Sequence, residues 1–527
     1  MSYPDPPSQP SWGPPGPQTG GQPVGQPGYP GYSMGMGAPQ PPQYAEPRKN
    51  RIWMVPVAAG LGVVLLASTV WAANTVIGGW FGGPQPETVM PSSSVVFAKL
   101  DLKPSGGQLA NYAQFVDKLP DEVKDELDPE SDPARDLVES EFEYLDYDKD
   151  VEPWLGKRFG YAMWETDASA AQVSDDGMAM AFAVAVTDED AARTALQKVQ
   201  DETDLSFDFR DDFAILAPTQ ATLSDLDSKV AASGTLDGQE NFASDMESVG
   251  GDTLATAWMD LGEISRIEAG SGSGGLGSSS NPFEDLTGGE DVEGRLALSL
   301  KVESEYAEVR GDVFDVKSGD ALDDYKAPEP GLEAMSSLPN NTAMAVGGSG
   351  LDSMAEQVWE ENADEFGDFE DALDTEGVSL PEGFTQLLGS KTALGITDVQ
   401  GSFDEVFEND FSFQFRATGA DSDLLKSMVE DMSAGSYGST PGVDTDGDAV
   451  VVSSGATGTG KLGEDTYFQR VMEGTEDSHL GVYMNLRELS PGDEIANPEQ
   501  WGAMGGAMNF DGSNGSVVAR WAPSGAA

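Results

Sequence analysis

Two stretches of this 527-residue chain, Gly238 to Ile264 and Gly463 to Leu489, align without a gap. Phe242 meets Tyr467, Asp252 meets Asp477, Trp258 meets Tyr483 and Met259 meets Met484. Leu261 then meets Leu486, and Glu263 meets Glu488. Three earlier blocks recur in the same order. Met90-Pro91-Ser92-Ser93-Ser94 resembles Leu338-Pro339-Asn340-Asn341-Thr342, Trp154-Leu155-Gly156-Lys157 resembles Leu387-Leu388-Gly389-Ser390, and Met180 to Thr187 resembles Phe411 to Thr418. Solenoid repeats have periods of about 20–50 residues, and this spacing is far longer. Two related lobes, 89–330 and 331–527, are expected, the second a duplication of the first.

Each lobe mixes two periodicities. Val95 to Leu102, Phe159 to Trp164, Met178 to Val186, Phe213 to Leu216 and Leu254 to Met259 are short β-branched or aromatic runs, which read as strands. Leu296 to Val302 and Tyr306 to Phe314 read as a further antiparallel pair. Thr187-Asp188-Glu189-Asp190 offers a helix start. Ala192, Ala195, Leu196 and Val199 follow at helical spacing. Asp211-Asp212 and Asp446-Gly447 suit tight hairpin turns. Strands outnumber helices and neighbours join by short turns. The expected class is α+β: antiparallel sheet in two related lobes, with helices packed on one face.

An uncharged apolar run from Ile52 to Ile77 follows Arg48, Lys49 and Arg51. It is long enough to cross a bilayer as a helix. Its cationic flank lies only on the N-terminal side, which predicts a cytoplasmic N-terminus and an extracytoplasmic remainder. The head before it and the apolar run itself are both too long for a cleaved signal peptide. The expected organisation is a Pro/Gly/Gln-rich disordered cytoplasmic tail over 1–47, a basic flank and transmembrane helix over 48–77, a linker over 78–88, then the two lobes. The glycine- and serine-rich stretch from Ser271 to Asn281 reads as a flexible loop within the first lobe.

The chain carries 92 Asp and Glu against 28 Lys and Arg, a net charge of −64, and all of the acidic surplus follows Ile52. Such a field excludes nucleic acid and anionic lipid as partners. It favours a solvated acidic surface, with cations or basic envelope proteins as candidate partners. There is no cysteine, which rules out disulfides, thiol catalysis and cysteine metal sites. The Pro-rich tail is a candidate for a cytoplasmic partner, since such stretches fit aromatic-lined grooves.

Catalytic signals fail on inspection. Gly455-Ala456-Thr457-Gly458-Thr459-Gly460-Lys461-Leu462 imitates a phosphate loop, but Leu462 stands where a hydroxyl must hold magnesium, and Gly463 argues against a helix there. Asp444-Thr445-Asp446-Gly447-Asp448 imitates a calcium loop with its glycine misplaced. Asp146-Tyr147-Asp148-Lys149-Asp150 has the same alternation and ends on Lys157 at the twelfth position. His479 is the only histidine and aligns with Leu254, a strand-edge position. No catalytic, cofactor-binding or metal-ligating residue is singled out.

Two further stretches carry a resemblance. They are Met90-Pro91 followed by Phe97-Ala98-Lys99-Leu100-Asp101-Leu102-Lys103-Pro104-Ser105-Gly106-Gly107-Gln108, and Lys149-Asp150-Val151-Glu152-Pro153-Trp154-Leu155-Gly156-Lys157-Arg158. With the Pro/Gly/Gln head before a single anchor, the chain resembles the actinobacterial domain of unknown function 3352 family. That resemblance implies an envelope protein of a high-GC Gram-positive bacterium and transfers no catalytic residue. The expected function is a non-enzymatic single-pass membrane protein presenting an acidic binding or scaffold domain. A carrier of an apolar ligand or lipid is the alternative, and a carboxylate-based hydrolase the third.

Overall fold

Met178–Val186 alternates small and large side chains, with Ala181, Ala183 and Ala185 on one side and Met180, Phe182 and Val184 on the other. A strand with period two and apolar residues on both sides must be covered on both. This pattern shapes the whole molecule. The computed structural model describes residues 85–101, 106–126, 135, 144–166, 177–203, 205–249, 253–271, 293–317, 329–362, 378–381, 383–397, 412–434, 441–455, 458–488 and 497–525. All lie within one compact unit, Asn50–Ala527. The tail, the apolar run from Ile52 to Ile77, most of the linker and nearly all of the stretch from Ser271 to Asn281 lie outside the described residues. Among the described residues no helix is long and apolar enough to cross a membrane.

The first half contributes strands β1 (Ser94–Asp101), β2 (Leu155–Glu165), β3 (Met178–Val186), β4 (Ser206–Arg210), β5 (Phe213–Ala217), β6 (Ala255–Asp260), β7 (Glu293–Val302) and β8 (Ala307–Lys317). The second half contributes β9 (Thr342–Ser349), β10 (Lys391–Thr397), β11 (Ser412–Thr418), β12 (Gly442–Asp446), β13 (Ala449–Ser454), β14 (Leu480–Asn485), β15 (Ala503–Asp511) and β16 (Asn514–Ala522). They form one antiparallel sheet of 16 strands, ordered β12-β13-β11-β10-β9-β14-β15-β16-β8-β7-β6-β1-β2-β3-β5-β4. Read outward from its centre, each half runs through its eighth, seventh, sixth, first, second, third, fifth and fourth strands. The sheet is unbroken between the halves, because β16 pairs with β8. Arg520 stands opposite Glu308 at that seam, 2.8 Å away.

Helices lie on both faces, a correction to the one-face expectation. One face takes α4 (Gln220–Ser233), α5 (Glu240–Val249), α7 (Glu333–Ser336) and α11 (Thr466–Val471). There Leu223, Leu226 and Phe242 pack on Phe97, Ile215 and Trp258, while Met335, Phe468 and Val471 pack on Ala345 and Tyr483. The other face takes α1 (Gly106–Val116), α2 (Asp121–Glu126), α3 (Glu189–Glu202), α6 (Leu261–Ser271), α9 (Phe384–Leu388) and α10 (Ser422–Ala434), whose anchors join separate clusters, while α8 (Leu351–Asn362) packs on α9 through Trp359 and Phe384. The physical cause is the double-sided apolar content of strands such as β3.

Local signals set the element ends. Asp188 caps α3 by accepting from the Ala191 N–H at 3.0 Å, and Ala192, Ala195, Leu196 and Val199 are its buried face. Asp211 and Asp212 form the β4–β5 turn, with Asp211 at a φ of 48°. The matching β12–β13 turn is Gly447-Asp448, one residue later than expected. The recurring blocks adopt the same geometry. Ser94 Oγ donates to the Pro91 carbonyl at 2.7 Å, as Thr342 Oγ1 does to Pro339 at 2.7 Å. Pro91 and Pro339 each form an isolated bridge, to Thr235 and Lys461. The gapless alignment needs one correction. Phe242 stacks edge-on to Trp258 at 5.5 Å, and it is Phe468, not Tyr467, that stands likewise at 5.2 Å from Tyr483. One residue is therefore lost between that helix and the following strand in the second half.

Candidate functional site

The sequence motifs fall into structural roles. The glycine-rich loop after β13 stands where α4 follows β5 in the first half. Residues 456–457 lie outside the described set. The Gly458 N–H donates to Asn341 Oδ1 at 2.6 Å and the Gly460 N–H to Asn340 Oδ1 at 3.4 Å. A Cβ on Gly458 would meet Asn340 Oδ1 at 2.1 Å, so a larger residue there would have to displace the Asn340 and Asn341 side chains. A short 3₁₀ turn, Leu462–Glu464, follows instead of the helix that a phosphate site needs.

The acidic alternations are tied to bases. Asp146 pairs with Lys149, Asp148 with Arg135, and Asp150 with Lys198. Asp446 pairs with Arg416 at 2.6 Å. Among the described residues no group of three or more acids and histidine is placed to hold a metal ion. The Arg135 hydrogen bond holds the Asp148 carboxyl below its ordinary value, and the Lys198 hydrogen bond does the same for Asp150. A depressed folded value stabilises the fold above the ordinary carboxylate pKa, and that contribution is lost as pH falls through the folded value. A carboxyl NMR titration should therefore place both midpoints below the ordinary aspartate value of about 3.9. Midpoints at or above it would refute the pairing.

His479 lies just before β14, as Leu254 lies just before β6, and its Nδ1 accepts from the Phe510 N–H at 3.0 Å. Burial raises the Asp260 carboxyl above its ordinary value. A raised carboxyl is a candidate acid, but its Oδ1 caps α6 by accepting the Glu263 N–H at 3.0 Å. A hollow of about 550 Å³ opens beside α7 and α11. Leu332, Phe468 and Met472 line it, together with Thr466, Gln469, Arg470, Glu473 and Glu476, so its chemistry is mixed rather than apolar.

The sequence reading missed one feature. Val346, Leu394, Val482 and Met504 are 41%, 37%, 44% and 43% exposed, the large apolar side chains most open on the sheet. They come from β9, β10, β14 and β15, four adjacent strands. Leu394 is opposite Val346, and Val346 is opposite Val482. Met484 lies beside Met504 and Met344 on the same face. Directly opposed residues have Cβ atoms about 4.5–5.5 Å apart, so these side chains form one continuous patch. On one flank α9 and α10 cover Phe415 and Val443. On the other, Trp521 packs on Trp501 at 5.8 Å and on Phe115 of α1 at 5.9 Å.

The first half explains why this patch is open. There α6 lays Leu261, Ile264 and Ile267 over Met259, Leu296 and Leu298. Residues 261–292 join β6 to β7, whereas the shorter 486–502 joins β14 to β15. Among the described residues of that shorter connector only the 3₁₀ turn Pro498–Gln500 is helical. Register places Val482 where Ala257 stands, and Met504 where Leu296 stands. Ala257 and Leu296 are each only 4% exposed.

Comparison with known proteins bears on the first half. Residues 54–250 match the model of the family described as "Protein of unknown function (DUF3352)". The match runs through β1–β5 to the end of α5, and it supports the domain family that the two motif stretches suggested. No curated protein matches. Crystal form I of a protein named TP0453 aligns at 10% identity and a TM-score of 0.23, over 46% of this chain and 82% of that one. Crystal form III aligns at 9% identity and a TM-score of 0.22, over 44% and 80%. Similarity at that level carries nothing over to this chain.

Proposed function

We propose that this chain is a non-enzymatic, single-pass protein of an actinobacterial cell envelope, and that the open apolar patch on β9, β10, β14 and β15 is its contact surface. The patch carries the reading. Large side chains around two-fifths exposed, contiguous across four strands, are the mark of a surface that meets something else. The run from Ile52 to Ile77 is the anchor, with the head cytoplasmic and the sheet outside. The repeated strand order supports two lobes, 89–330 and 331–527, descended from one ancestral unit, with no copy of α6 among the described residues of the second. The carrier of an enclosed lipid is less favoured, because the sizeable hollow beside α11 sets Arg470, Glu473 and Glu476 among its apolar groups.

The absence of native cysteine makes a direct test available. Val482→Cys and, separately, Ser8→Cys in the full-length chain should react differently with a membrane-impermeant maleimide added to intact protoplasts. The thiol at 482 is expected to label and that at 8 is not; the reverse pattern would overturn the orientation. The thiol at 482 should also label severalfold more slowly in cells than in the purified chain in nanodiscs, because its partner shields it. Asp208→Cys, at the exposed position of the edge strand β4, should label equally in both settings. Equal rates for both thiols in both settings would remove the contact surface.

A further inference from the structure

We infer that the occupant of the open patch is a cationic amphipathic helix of another protein, seated as α6 is seated in the first half. This rests on the contact-surface reading above and names the partner. Three observations carry it. The counterpart surface within the same sheet already takes a helix, with Leu261, Ile264 and Ile267 as its anchors. Their spacing of three residues places them along one side of that helix. A surface with the same register and strand order is built to accept the same kind of ligand, an apolar helical stripe laid into a groove.

Width is the second observation. Four strands about 4.8 Å apart give a floor about 14 Å across, centre to centre. A helix with its side chains is about 10–12 Å in diameter, so one helix fills that floor. The walls are present on both sides, α9 and α10 beyond β11 and the Trp501–Trp521 pair beyond β15. Val346, Val482 and Met504 would then take the contacts that Ala98, Ala257 and Leu296 give to α6.

Charge is the third. With a net charge of −64, a second copy of this chain and any anionic ligand are repelled on approach. A helix with lysine or arginine on its outer face is attracted, and its apolar stripe makes the contact. The field therefore selects the sign of the partner while the patch selects its shape.

The test uses the full-length chain in nanodiscs and a fluorescent peptide with the residue 261–271 sequence, in which Glu263 and Glu268 are replaced by lysine. Fluorescence anisotropy should show saturable binding, weakening as sodium chloride is raised. Val482→Glu or Val346→Glu places a carboxylate against the apolar stripe and should weaken binding at least about tenfold. Both positions are open to solvent, so neither variant threatens the fold. A peptide of the same composition with the three anchors scattered should bind no better than the weakened variants. Equal binding of the scattered peptide, or unchanged binding to both Glu variants, would overturn the inference. Neutral phosphatidylcholine vesicles that slow maleimide labelling of the thiol at 482, while the peptide does not bind, would also overturn it and would leave the contact surface standing. Loss of the cellular shielding of the thiol at 482 would instead remove the surface itself.

Discussion

Replacing Trp258 with alanine is expected to destabilise the fold by about 3–5 kcal/mol, the range for removing a buried aromatic from a packed core. Trp258 is fully buried on β6, with Phe242 edge-on at 5.5 Å. Its indole N–H donates to Asp245 Oδ2 at 2.9 Å. Asp245 is 2% exposed and also accepts from Arg295 Nε at 2.7 Å. The substitution thus opens a cavity and takes one of the donors from a buried carboxylate, and the two effects add. Trp258→Phe keeps most of the packing and loses the donor, so about 1–3 kcal/mol is expected for it. Urea unfolding of the full-length chain in nanodiscs measures both. A change within about 1 kcal/mol for Trp258→Ala would refute the central place given to this residue.

Gly348→Val is expected to be comparably severe, for a different reason. Gly348 has a φ of 153°, and a Cβ there would stand 1.9 Å from the His479 carbonyl oxygen and 2.8 Å from Leu480 Cα. Both obstacles are backbone of β14 or of the residue before it, so no side-chain rotation relieves the clash. The neighbouring Ser349 N–H donates to that same His479 carbonyl at 2.8 Å. The variant must push β14 off β9 or distort β9, and a loss above about 3 kcal/mol is expected from strain and overpacking together. Faster amide exchange at Ser349 should accompany it. Gly512, at a φ of 58° in the β15–β16 turn, has no atom near the position of an added Cβ. Gly512→Ala should cost only about 1–2 kcal/mol, the penalty of the left-handed conformation alone. Equal losses at both glycines would mean that the backbone contact at His479 is not what matters.

Both residues show where sequence reading succeeds and where it stops. Trp258 was legible as the counterpart of Tyr483, because aromatic identity and spacing survive in the chain itself. Arg295, which shares the Asp245 carboxylate with it, was not, since residues 261–292 intervene and nothing local links the two. Gly348 carries no sequence signal of its need for glycine. The carbonyl that excludes a side chain there belongs to a residue far along the chain. The α3 cap at Asp188 and the turn at Asp211 were legible, because each depends on neighbours within a few residues. The helix α4 was missed; its buried positions, Thr222, Leu223 and Leu226, make only a narrow apolar stripe.

The candidate site lay almost wholly beyond the sequence. Val346, Leu394, Val482 and Met504 look like ordinary core residues of alternating strands, and Ala257 and Leu296, the first-half counterparts of Val482 and Met504, are core residues. The strand periodicity, the repeated order of blocks, the acidic field and the apolar run were determined by the amino-acid sequence, because each is set by residues near one another or by simple composition. The joining of β8 to β16, the helices on both faces and the open patch were decided only in the tertiary structure. Whether an apolar strand face ends covered or bare depends on which connector crosses it. That follows from where distant segments land, a matter of non-local packing that no window of residues contains.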